Sequence, residues 1–408
     1  MVQESAEAPM KRREDRIVLG ATVGRSLSVL SGFPEHLAAL GWEVYVVSAP
    51  GPELDLIGRS QGVTANPIEM TRNPHPLRDV KSLLAWCSYL NRLRPAVLFV
   101  GTPKAALLAM VAGVLTRVPR RIYILRGLRL ESTTGWSSMV LKSMERLTAQ
   151  SAHRVISVSP SLRAKALELR LTKPGKIHVL GHGSSNGVDL VRFRPGGRPL
   201  ALVDEGLRES APVIGFVGRL TNDKGLSVLA AARQILIQRG VDHQLLIVGG
   251  LDGDADDLEM LVATGRHAIE TGHVSDTAPY YASMDVVVLP TLREGFPNTV
   301  LEAAASGLPV VTTTATGAVD SVVAGTTGWL VATENSEALA DALQAALAQP
   351  EERRRRGEEA RRHVERHFAQ ADVWLRTVQL FTQGDDLRSS TQAPFKGHRS
   401  AGKLEELD

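Results

Sequence analysis

Short apolar runs alternate with amphipathic helical patterns along this chain, and the alternation stops once, near residues 195–210, before it restarts. Strands separated by helices in this way form βαβ units, which predict a parallel sheet. In the first half the predicted strands are residues 17–21, 43–48, 96–100, 122–125, 154–158 and 177–180. The predicted helices between them are residues 28–40, 77–93, 104–115, 139–150 and 161–169.

The break predicts two α/β domains in tandem. Residues 196–199 (Gly-Gly-Arg-Pro) are typical of a turn, and the following stretch to residue 209 is polar. In the second half the predicted strands are residues 213–217, 245–248, 286–289, 310–313 and 328–331, and the predicted helices are residues 226–239, 299–306, 337–347 and 351–368. We expect a first domain over 16–198, a second over 199–365, a helix over 366–383 that crosses back to the first domain, and disordered tails at 1–15 and 384–408.

Composition narrows the class of protein. Cys87 is the only cysteine, which excludes a disulfide framework and cysteine-based zinc motifs. The longest apolar stretch, residues 96–118, is interrupted by Lys104 and Arg117, and its uninterrupted part is too short to span hydrocarbon. Residues 1–15 have no apolar segment of the kind that a signal peptide needs.

Charge is distributed unevenly along the chain. Residues 1–200 carry 28 lysines and arginines against 14 acidic residues, whereas residues 201–408 carry 19 against 30. This asymmetry indicates that the first half meets something anionic, such as nucleic acid, a membrane surface or a phosphorylated substrate. The alternative is a solvated basic surface with no partner.

Open parallel sheets bind ligands at the carboxyl ends of their strands, so residues directly after strands are candidates for a site. Residues 218–225 (Gly-Arg-Leu-Thr-Asn-Asp-Lys-Gly) follow such a strand and open a helix. Gly218 lets the backbone approach a ligand, the helix N-terminus offers free N–H groups, and Arg219 and Lys224 add positive charge. The pattern predicts a diphosphate site, with a solvated turn as the alternative.

A second stretch, Glu-Gly-Phe-Pro-Asn-Thr-Val-Leu-Glu (residues 294–302), also follows a strand and runs into a helix. Glu294 lies before the helix and Glu302 lies about one turn inside it, so both can face one crevice at opposite ends of a ligand. The N–H groups of Thr299 and Val300 lie in the first turn, where phosphate binds. The alternative is a pair of exposed glutamates on a helix face.

Two further motifs are not interpreted as ligand sites. Residues 181–189 hold three glycines after a strand, but the helical pattern that a dinucleotide-binding fingerprint requires does not follow. Residues 252–257 are acidic, yet Asp257 and Ala263 stand where a calcium-binding loop needs Gly and Glu. We therefore expect no metal site.

Taken together, these residues resemble the retaining glycosyltransferases of family four, which have the GT-B fold of two Rossmann-like domains facing a central cleft. In the second domain the family pattern is matched, in order and spacing, by GRLTNDKG (218–225), EGFPNTVLE (294–302) and ASGLPVV (305–311). The first domain resembles a bacterial branch that acts on polyprenyl-diphosphate-linked sugars in capsule, O-antigen and exopolysaccharide assembly. The segments that carry this second resemblance are VVSAPG (46–51), TPKA (102–105), VSPSLR (158–163) and GHGSSNGVD (181–189).

The resemblance implies how the donor nucleotide is bound. Arg219 and Lys224 would hold its diphosphate together with the first turn of the helix that follows Pro297. Glu302 would take the ribose hydroxyls, and backbone near Val274 would meet the base. The donor is expected to be a nucleotide sugar, UDP-linked, acting as co-substrate, with no cofactor and no metal.

The resemblance also implies the reaction. Glu294 would be the catalytic residue beside the transferred sugar, in a pocket lined by Gly295, Phe296, Pro297 and Asn298. The leaving diphosphate would be stabilised, an oxocarbenium-like centre would develop, and the acceptor hydroxyl would attack from the same face. The β-phosphate itself would act as the base.

One departure from the family pattern concerns a histidine. Arg126 stands where many relatives carry a His near the donor sugar, and Lys104 lies in a run where relatives often have His-Thr-His. An arginine cannot act as a base at neutral pH, although it can bind a phosphate. The catalytic histidine of relatives is therefore not carried over, and Arg126, Lys104, Gly24 and Arg25 are assigned to the acceptor or a phosphate.

The expected function is transfer of a hexose or N-acetylhexosamine, with retention, to a lipid-linked saccharide in cell-surface polysaccharide assembly. The enzyme is expected in the cytoplasm, docked through its first domain on the anionic inner face of the cytoplasmic membrane. The alternatives are a nucleotide-sugar epimerase or phosphorylase with the same fold, or a transferase with a soluble acceptor. A nucleic-acid-binding protein is disfavoured, because aromatic residues, on which bases stack, make up only 4% of the chain.

Overall fold

The computed structural model describes residues 15–71, 75–196, 207–208, 211–252, 259, 261–262 and 267–382. The predicted tails apart from Asp15, the linker at 197–206 and most of the acidic stretch 252–257 lie outside these residues. Each half of the chain forms one parallel sheet flanked by helices, which confirms the α/β class. No helix in the described part of the chain is both long and apolar enough to cross a bilayer.

The first sheet has seven strands in the order β3-β2-β1-β4-β5-β6-β7, all parallel. Its strands are β1 (Arg16–Gly20), β2 (Glu43–Ser48), β3 (Val63–Pro67), β4 (Val97–Val100), β5 (Arg120–Leu125), β6 (Arg154–Ser157) and β7 (Ile177–Val179). Its helices are α1 (Phe33–Ala39), α2 (Pro52–Ile57), α3 (Pro76–Leu93), α4 (Pro103–Leu115), α5 (Gly135–Ser151) and α6 (Pro160–Glu168).

The second sheet has six strands in the order β10-β9-β8-β11-β12-β13, again all parallel. Its strands are β8 (Val213–Val217), β9 (Gln244–Val248), β10 (Ala268–Glu270), β11 (Val286–Leu289), β12 (Val310–Thr313) and β13 (Gly328–Val331). The helices are α7 (Leu226–Gln238), α8 (Ala278–Tyr281), α9 (Asn298–Ala305), α10 (Ser336–Ala348), α11 (Pro350–His367) and α12 (Gln370–Thr382).

Central strands are apolar along their whole length because helices cover both faces of each sheet. All residues of β4, β11 and β12 are buried, and these strands are runs of Val, Leu, Phe and Thr with no polar–apolar alternation. Helix α4 is nearly as apolar, because it packs between α3 on one side and α5 on the other. These three helices therefore lie side by side on one face of the first sheet.

The helix predicted over 28–40 is not one helix. A short 3₁₀ segment covers Gly24–Leu30, and α1 starts only at Phe33. Gly32 between them is left-handed, with φ of +78°, and Pro34 sits in the first turn of α1, so the chain changes direction there.

The strand order reverses once in each sheet, between β1 and β4 and between β8 and β11. Such switch points open a crevice at the carboxyl ends of the strands, where open α/β sheets bind ligands. In the second sheet, the two loops at this crevice are residues 218–225 and the loop that begins at Pro290.

Helix α12 packs on the first domain, although it follows the second in sequence. The Phe381 ring contacts the Phe99 ring of β4 edge-on, with centroids 5.2 Å apart. Arg120 Nη1 donates to the Phe381 carbonyl at 2.6 Å, and Trp374 Nε1 donates to Asn186 Oδ1 at 2.6 Å. The last described helix is therefore part of the first domain's core.

Candidate active site

Asp223 joins the two loops at the second crevice. Its carbonyl accepts hydrogen bonds from Leu292 N and Thr291 Oγ1, each at 2.9 Å. Its carboxylate pairs with Arg293 at 3.0 Å. The predicted diphosphate loop and the predicted sugar loop are thus held against each other by Asp223, through its backbone carbonyl and its carboxylate. The sequence patterns did not single out this residue.

Lys224 and Glu294, which were assigned to different parts of the donor, form an ion pair. Lys224 Nζ donates to Glu294 Oε1, and the two side chains are only 15% and 12% exposed. The carboxylate therefore neutralises the ammonium at the base of the crevice. An entering diphosphate would share this cation with Glu294.

Arg219 lies at a different depth. Its side chain is 61% exposed and pairs with Asp252 at 2.7 Å. It is a cation at the rim of the crevice, whereas Lys224 is a cation inside it.

The N-terminus of α9 is fixed beside Gly218. Thr299 Oγ1 donates to the Val217 carbonyl at 3.0 Å, which ties the first turn of the helix to the end of β8. Gly218 has φ of +150°, and a side chain there would point into open space. The first-turn N–H group of Thr299 is therefore at the crevice that Gly218 faces, whereas Val300 N donates to the Pro297 carbonyl at 3.2 Å.

Glu302 is held on one side of its carboxylate. Tyr281 donates its hydroxyl to Glu302 Oε2 at 2.9 Å, and Thr277 Oγ1 contacts the same oxygen at 3.4 Å. Burial raises the pKa of Glu302, and the hydrogen bond from Tyr281 opposes that rise. Among the described residues no partner is shown for Oε1, so this oxygen can accept from a ligand. Val274 lies on the loop after β10, in the same domain as Glu302.

The predicted sugar pocket is formed by backbone more than by side chains. Phe296 turns away and packs its ring on Phe368 at 5.1 Å. Gly295 and Pro297 are buried, whereas Asn298 is exposed. A side chain at Gly295 would collide with the Arg126 carbonyl, so glycine allows the two domains to touch here.

Further contacts join the domains close to this point. Thr316 Oγ1 donates to Glu131 Oε2 at 2.7 Å. Ser161 N donates to Asp320 at 2.8 Å, and Ser161 Oγ accepts from Gly317 N at 2.7 Å. Ser161 lies in the VSPSLR segment, but its partners are more than 150 residues away, so no local sequence pattern indicates them.

The residues assigned to the acceptor do not form one cluster. Lys104 is buried and its ammonium pairs with Asp79 at 2.7 Å, so it is held within the first domain. Gly24 is buried against Glu53, while Arg25 is exposed. Arg126, the fourth residue assigned to the acceptor, lies at the crevice. Its guanidinium lies over Gly101, where β4 and β5 end, and the backbone carbonyl of Arg126 faces the sugar loop.

Within the described ranges, no three His, Cys, Asp or Glu side chains are placed to share a metal ion. Most of the acidic stretch 252–257 is outside those ranges.

Comparison with known families gives matches in both halves of the chain. Residues 30–183 match the model for the glycosyl transferase 4-like domain, and residues 211–349 match that for glycosyl transferases group 1. A capsular polysaccharide biosynthesis glycosyltransferase, CapM of Staphylococcus aureus, is 35% identical over 86% of this chain and 93% of its own length. The chain belongs to the group 1 glycosyltransferases.

Other similarities agree with this assignment. An Escherichia coli UDP-Gal:alpha-D-GlcNAc-diphosphoundecaprenol alpha-1,3-galactosyltransferase is 29% identical over 61% of this chain and 65% of its own. Sucrose-phosphate synthase from Thermosynechococcus elongatus superimposes with a TM-score of 0.77 at 23% identity, over 90% of this chain and 98% of that one. WaaG, a glycosyltransferase involved in lipopolysaccharide biosynthesis, gives 0.70 at 17% identity, over 90% and 100%. The glycosyltransferase therefore has the GT-B fold, as expected.

Proposed function

We propose that this glycosyltransferase moves a hexose or N-acetylhexosamine from a UDP-sugar to a polyprenyl-diphosphate-linked saccharide, with retention, in cell-surface polysaccharide assembly. The observation that carries the proposal is the similarity to the capsular enzyme, because it runs through both domains and so includes the acceptor side. The E. coli relative's name specifies a UDP-galactose donor and a diphosphoundecaprenol-linked acceptor. A structure of Anabaena HepE, which superimposes with a TM-score of 0.74 at 16% identity over 89% of this chain and 98% of its own, was solved with UDP and glucose.

The donor is held by the residues at the second crevice. Lys224 and the first turn of α9 bind the diphosphate, with Arg219 closing over it from the rim. Glu302 accepts from the ribose hydroxyls through Oε1, and backbone at Val274 meets the base. These positive groups do the charge neutralisation that a metal would otherwise supply, so we propose a metal-independent enzyme.

The chemistry follows from where charge develops. As the bond from the anomeric carbon to the diphosphate breaks, negative charge on the leaving oxygen is stabilised by Lys224 and the helix N-terminus. The sugar becomes oxocarbenium-like, and the Glu294 carboxylate beside it stabilises the positive charge. The acceptor hydroxyl attacks from the same face and gives its proton to the departing β-phosphate, which yields a retained linkage and UDP.

The acceptor reaches the cleft from a membrane surface. Helix α5 buries the polar residues Glu145 and Thr148, whereas the large apolar residues Trp136, Met139 and Leu147 are 77%, 62% and 47% exposed. A helix that places its large apolar side chains in water is typical of an interfacial helix.

Helix α3, which lies on the other side of α4 on the same face of the sheet, also exposes large apolar side chains. It exposes Leu77, Val80 and Leu84, and we call these three residues with Trp136, Met139 and Leu147 the apolar stripe. Lys81 is exposed beside them, and the first half of the chain is strongly basic. Apolar side chains with basic neighbours suit an anionic bilayer, so we propose that the enzyme works on the cytoplasmic face of the membrane.

A soluble phosphorylated acceptor is the second candidate. The observation in its favour is a D-inositol 3-phosphate glycosyltransferase of Arthrobacter that is 36% identical over 202 residues, 48% of this chain and 47% of its own length. The apolar stripe favours the lipid-linked acceptor over this one.

The test is transfer from a panel of UDP- and GDP-sugars to a short-chain polyprenyl-diphosphate saccharide and to inositol phosphate. The linkage is read by NMR, and each reaction is run with and without a chelator. We expect an α-linked product from an α-linked UDP-sugar on the lipid acceptor, unaffected by the chelator. An inverted linkage, transfer only to inositol phosphate, or loss of activity restored by Mg²⁺ would each contradict one part of the proposal.

A further inference from the structure

We propose that the Arg126 guanidinium binds, through its Nε–Nη2 edge, an oxyanion of the reactants held on the first domain. This inference rests on the proposed transferase function and names a further ligand group for the same cleft. The oxyanion is either the diphosphate of the acceptor or the carboxylate of a uronic acid sugar.

The geometry of the side chain carries the proposal. Nε and Nη2 of Arg126 are buried and have no hydrogen-bond partner among the described residues. These two nitrogens form one edge of the guanidinium, and their N–H bonds point in parallel. A carboxylate or phosphate meets that edge with two oxygens at once, which no neutral hydroxyl can do.

The remaining side of the guanidinium is occupied by the protein. Nη1 lies so close to Gly101 that any side chain at that position would collide with it. Glycine at 101 therefore makes room for the guanidinium where β4 ends. The residue is therefore held in one orientation, with its Nε–Nη2 edge buried and unpartnered among the described residues.

In the described part of the chain, no carboxylate hydrogen-bonds to Nε or Nη2 of Arg126. The two acidic residues that follow in sequence are engaged elsewhere: Glu131 accepts from Thr316, and Glu145 accepts from Tyr123 at 2.7 Å. Burial lowers the pKa of Arg126 to about 10, which still leaves it charged at neutral pH. A buried cation without a partner is unfavourable, so an anionic ligand would recover energy that the free protein lacks.

Position links this edge to the reacting groups. The Arg126 carbonyl faces Gly295 of the sugar loop across the domain boundary. Nine residues further along the chain, α5 begins with the exposed end of the apolar stripe. A diphosphate at the head of a membrane-bound lipid would therefore arrive at the same edge of the first domain.

The test uses the full chain and four variants. Arg126→Gln removes the charge, Arg126→Lys keeps it without the two-pronged edge, and Gly101→Ala displaces the guanidinium without removing it. Arg129→Gln, an exposed neighbour, is the matched control. The probes are geranyl diphosphate against geraniol, and UDP-glucuronate against UDP-glucose, each titrated by calorimetry, with UDP alone as the reference.

We expect the native enzyme to bind one anionic probe at least about tenfold more tightly than its neutral counterpart, because charge-assisted pairs of this kind contribute that much. A preference for geranyl diphosphate over geraniol identifies the oxyanion as the acceptor diphosphate. A preference for UDP-glucuronate over UDP-glucose identifies it as the sugar carboxylate. Arg126→Gln and Gly101→Ala should lose the preference, Arg126→Lys should keep part of it, and Arg129→Gln should keep it all. UDP affinity should stay unchanged throughout.

A second readout separates binding from structure. If the guanidinium serves to bind a ligand, Arg126→Gln should melt at the same temperature as the native enzyme or higher. If the arginine is structural, its replacement should lower the melting temperature. The inference is overturned if neither anionic probe is preferred, or if Arg126→Gln retains the preference. Failure of the native enzyme to bind UDP at all would instead remove the proposed function.

Discussion

Lys224 and Glu294 contact each other although 70 residues separate them. Each was recognisable from its own motif, since one follows β8 and the other follows β11. Their contact was not recognisable, because it depends on Asp223 drawing two loops together. Because of this ion pair, the same two side chains contribute both to donor binding and to local stability.

Lys224→Ala should destabilise the protein as well as weaken UDP binding. It leaves the Glu294 carboxylate poorly solvated without its counter-charge, which costs about 2–4 kcal/mol of unfolding free energy. Adding Glu294→Gln should recover most of that loss, while UDP binding stays weak. Denaturant titration and UDP calorimetry measure the two effects, with Lys165→Ala, from an exposed pair with Glu168, as the control. Native-like stability in the single variant would contradict the role of this pair.

The two glutamates of the 294–302 stretch should differ in kinetics. Glu294→Gln should lower kcat by about a hundredfold or more with little change in UDP affinity, because its carboxylate acts on the developing positive charge. Glu302→Ala should weaken UDP binding about tenfold instead, through lost ribose contacts. Equal, small effects in both would mean that neither residue touches the donor.

Some site features had no readable signal. Tyr281, which fixes Glu302, lies in a short helix that no periodicity marks. Arg126 was visible as a departure from the family, but its free edge depends on Gly101, 25 positions earlier. Local sequence identifies the residues that follow strands. The order of the strands in the sheet determines which other residues those side chains contact.

At the scale of elements, α5 is the informative case. The sequence predicts a helix over residues 139–150 but does not indicate which of its sides packs on the sheet. In the structure Glu145 and Thr148 face inward, whereas Trp136, Met139 and Leu147 face out.

Replacing Trp136 and Met139 with serine should therefore weaken membrane binding without harming the fold. Each large apolar side chain withdrawn from the bilayer costs about 1.5–3 kcal/mol, so partitioning should fall by about tenfold or more. The measurement is co-sedimentation of the full enzyme with phosphatidylglycerol vesicles, at low and high salt, against phosphatidylcholine. Leu56→Ser, equally exposed on α2, is the control. Unchanged sedimentation of the double variant would remove the stripe from the proposal.

Glu145 should make stability depend on pH. Burial raises the pKa of Glu145 from 4.5 to about 7. Between about pH 4.5 and 7 the unfolded chain ionises first, so this residue's contribution to the unfolding free energy falls as pH rises and stays low above pH 7.

Glu145→Gln cannot ionise and can still accept from Tyr123. Its stability relative to the native enzyme should rise across that window by on the order of 2–3 kcal/mol. Thermal unfolding at several pH values measures the difference, and Glu168→Gln on α6 controls for the substitution. A difference in stability between Glu145→Gln and the native enzyme that stays constant from pH 5 to 8 would contradict this prediction.

Two edge strands, β3 and β10, were not indicated by the sequence. β3 ends in Asn66 and Pro67, and β10 has only three residues, so neither shows a strand pattern. Each pairs with one neighbour, β2 or β9, and that pairing makes it a strand. Buried central strands such as β8, β11 and β12 have bounds that match the predicted ones, because burial on both faces demands an unbroken apolar run.

For the whole molecule, the contacts between domains should decide how well the cleft closes. Ser161→Ala removes a donor to Asp320 and the acceptor of Gly317 N, which costs the closed form about 1–3 kcal/mol. In this variant kcat/KM should fall about tenfold, whereas UDP affinity should change less. X-ray scattering of the variant with UDP bound should give a larger radius of gyration than that of the native enzyme. Ser132→Ala, which bonds only within its own domain, is the control. Identical scattering and kinetics would show that these bonds do not hold the domains together.

The packing of helix α12 on the first domain also determines when that domain can complete its core during translation. Arg120 and Phe381, joined by a hydrogen bond, are 261 residues apart. A ribosome adds roughly 5–20 residues per second, so about 13–50 s pass between the translation of one and of the other. Throughout that interval Phe33 and Phe99 lack the ring that covers them, and the nascent first domain offers an apolar groove to chaperones and proteases. Yield in a cell should therefore depend on what protects the unfinished first domain while the second is still being made.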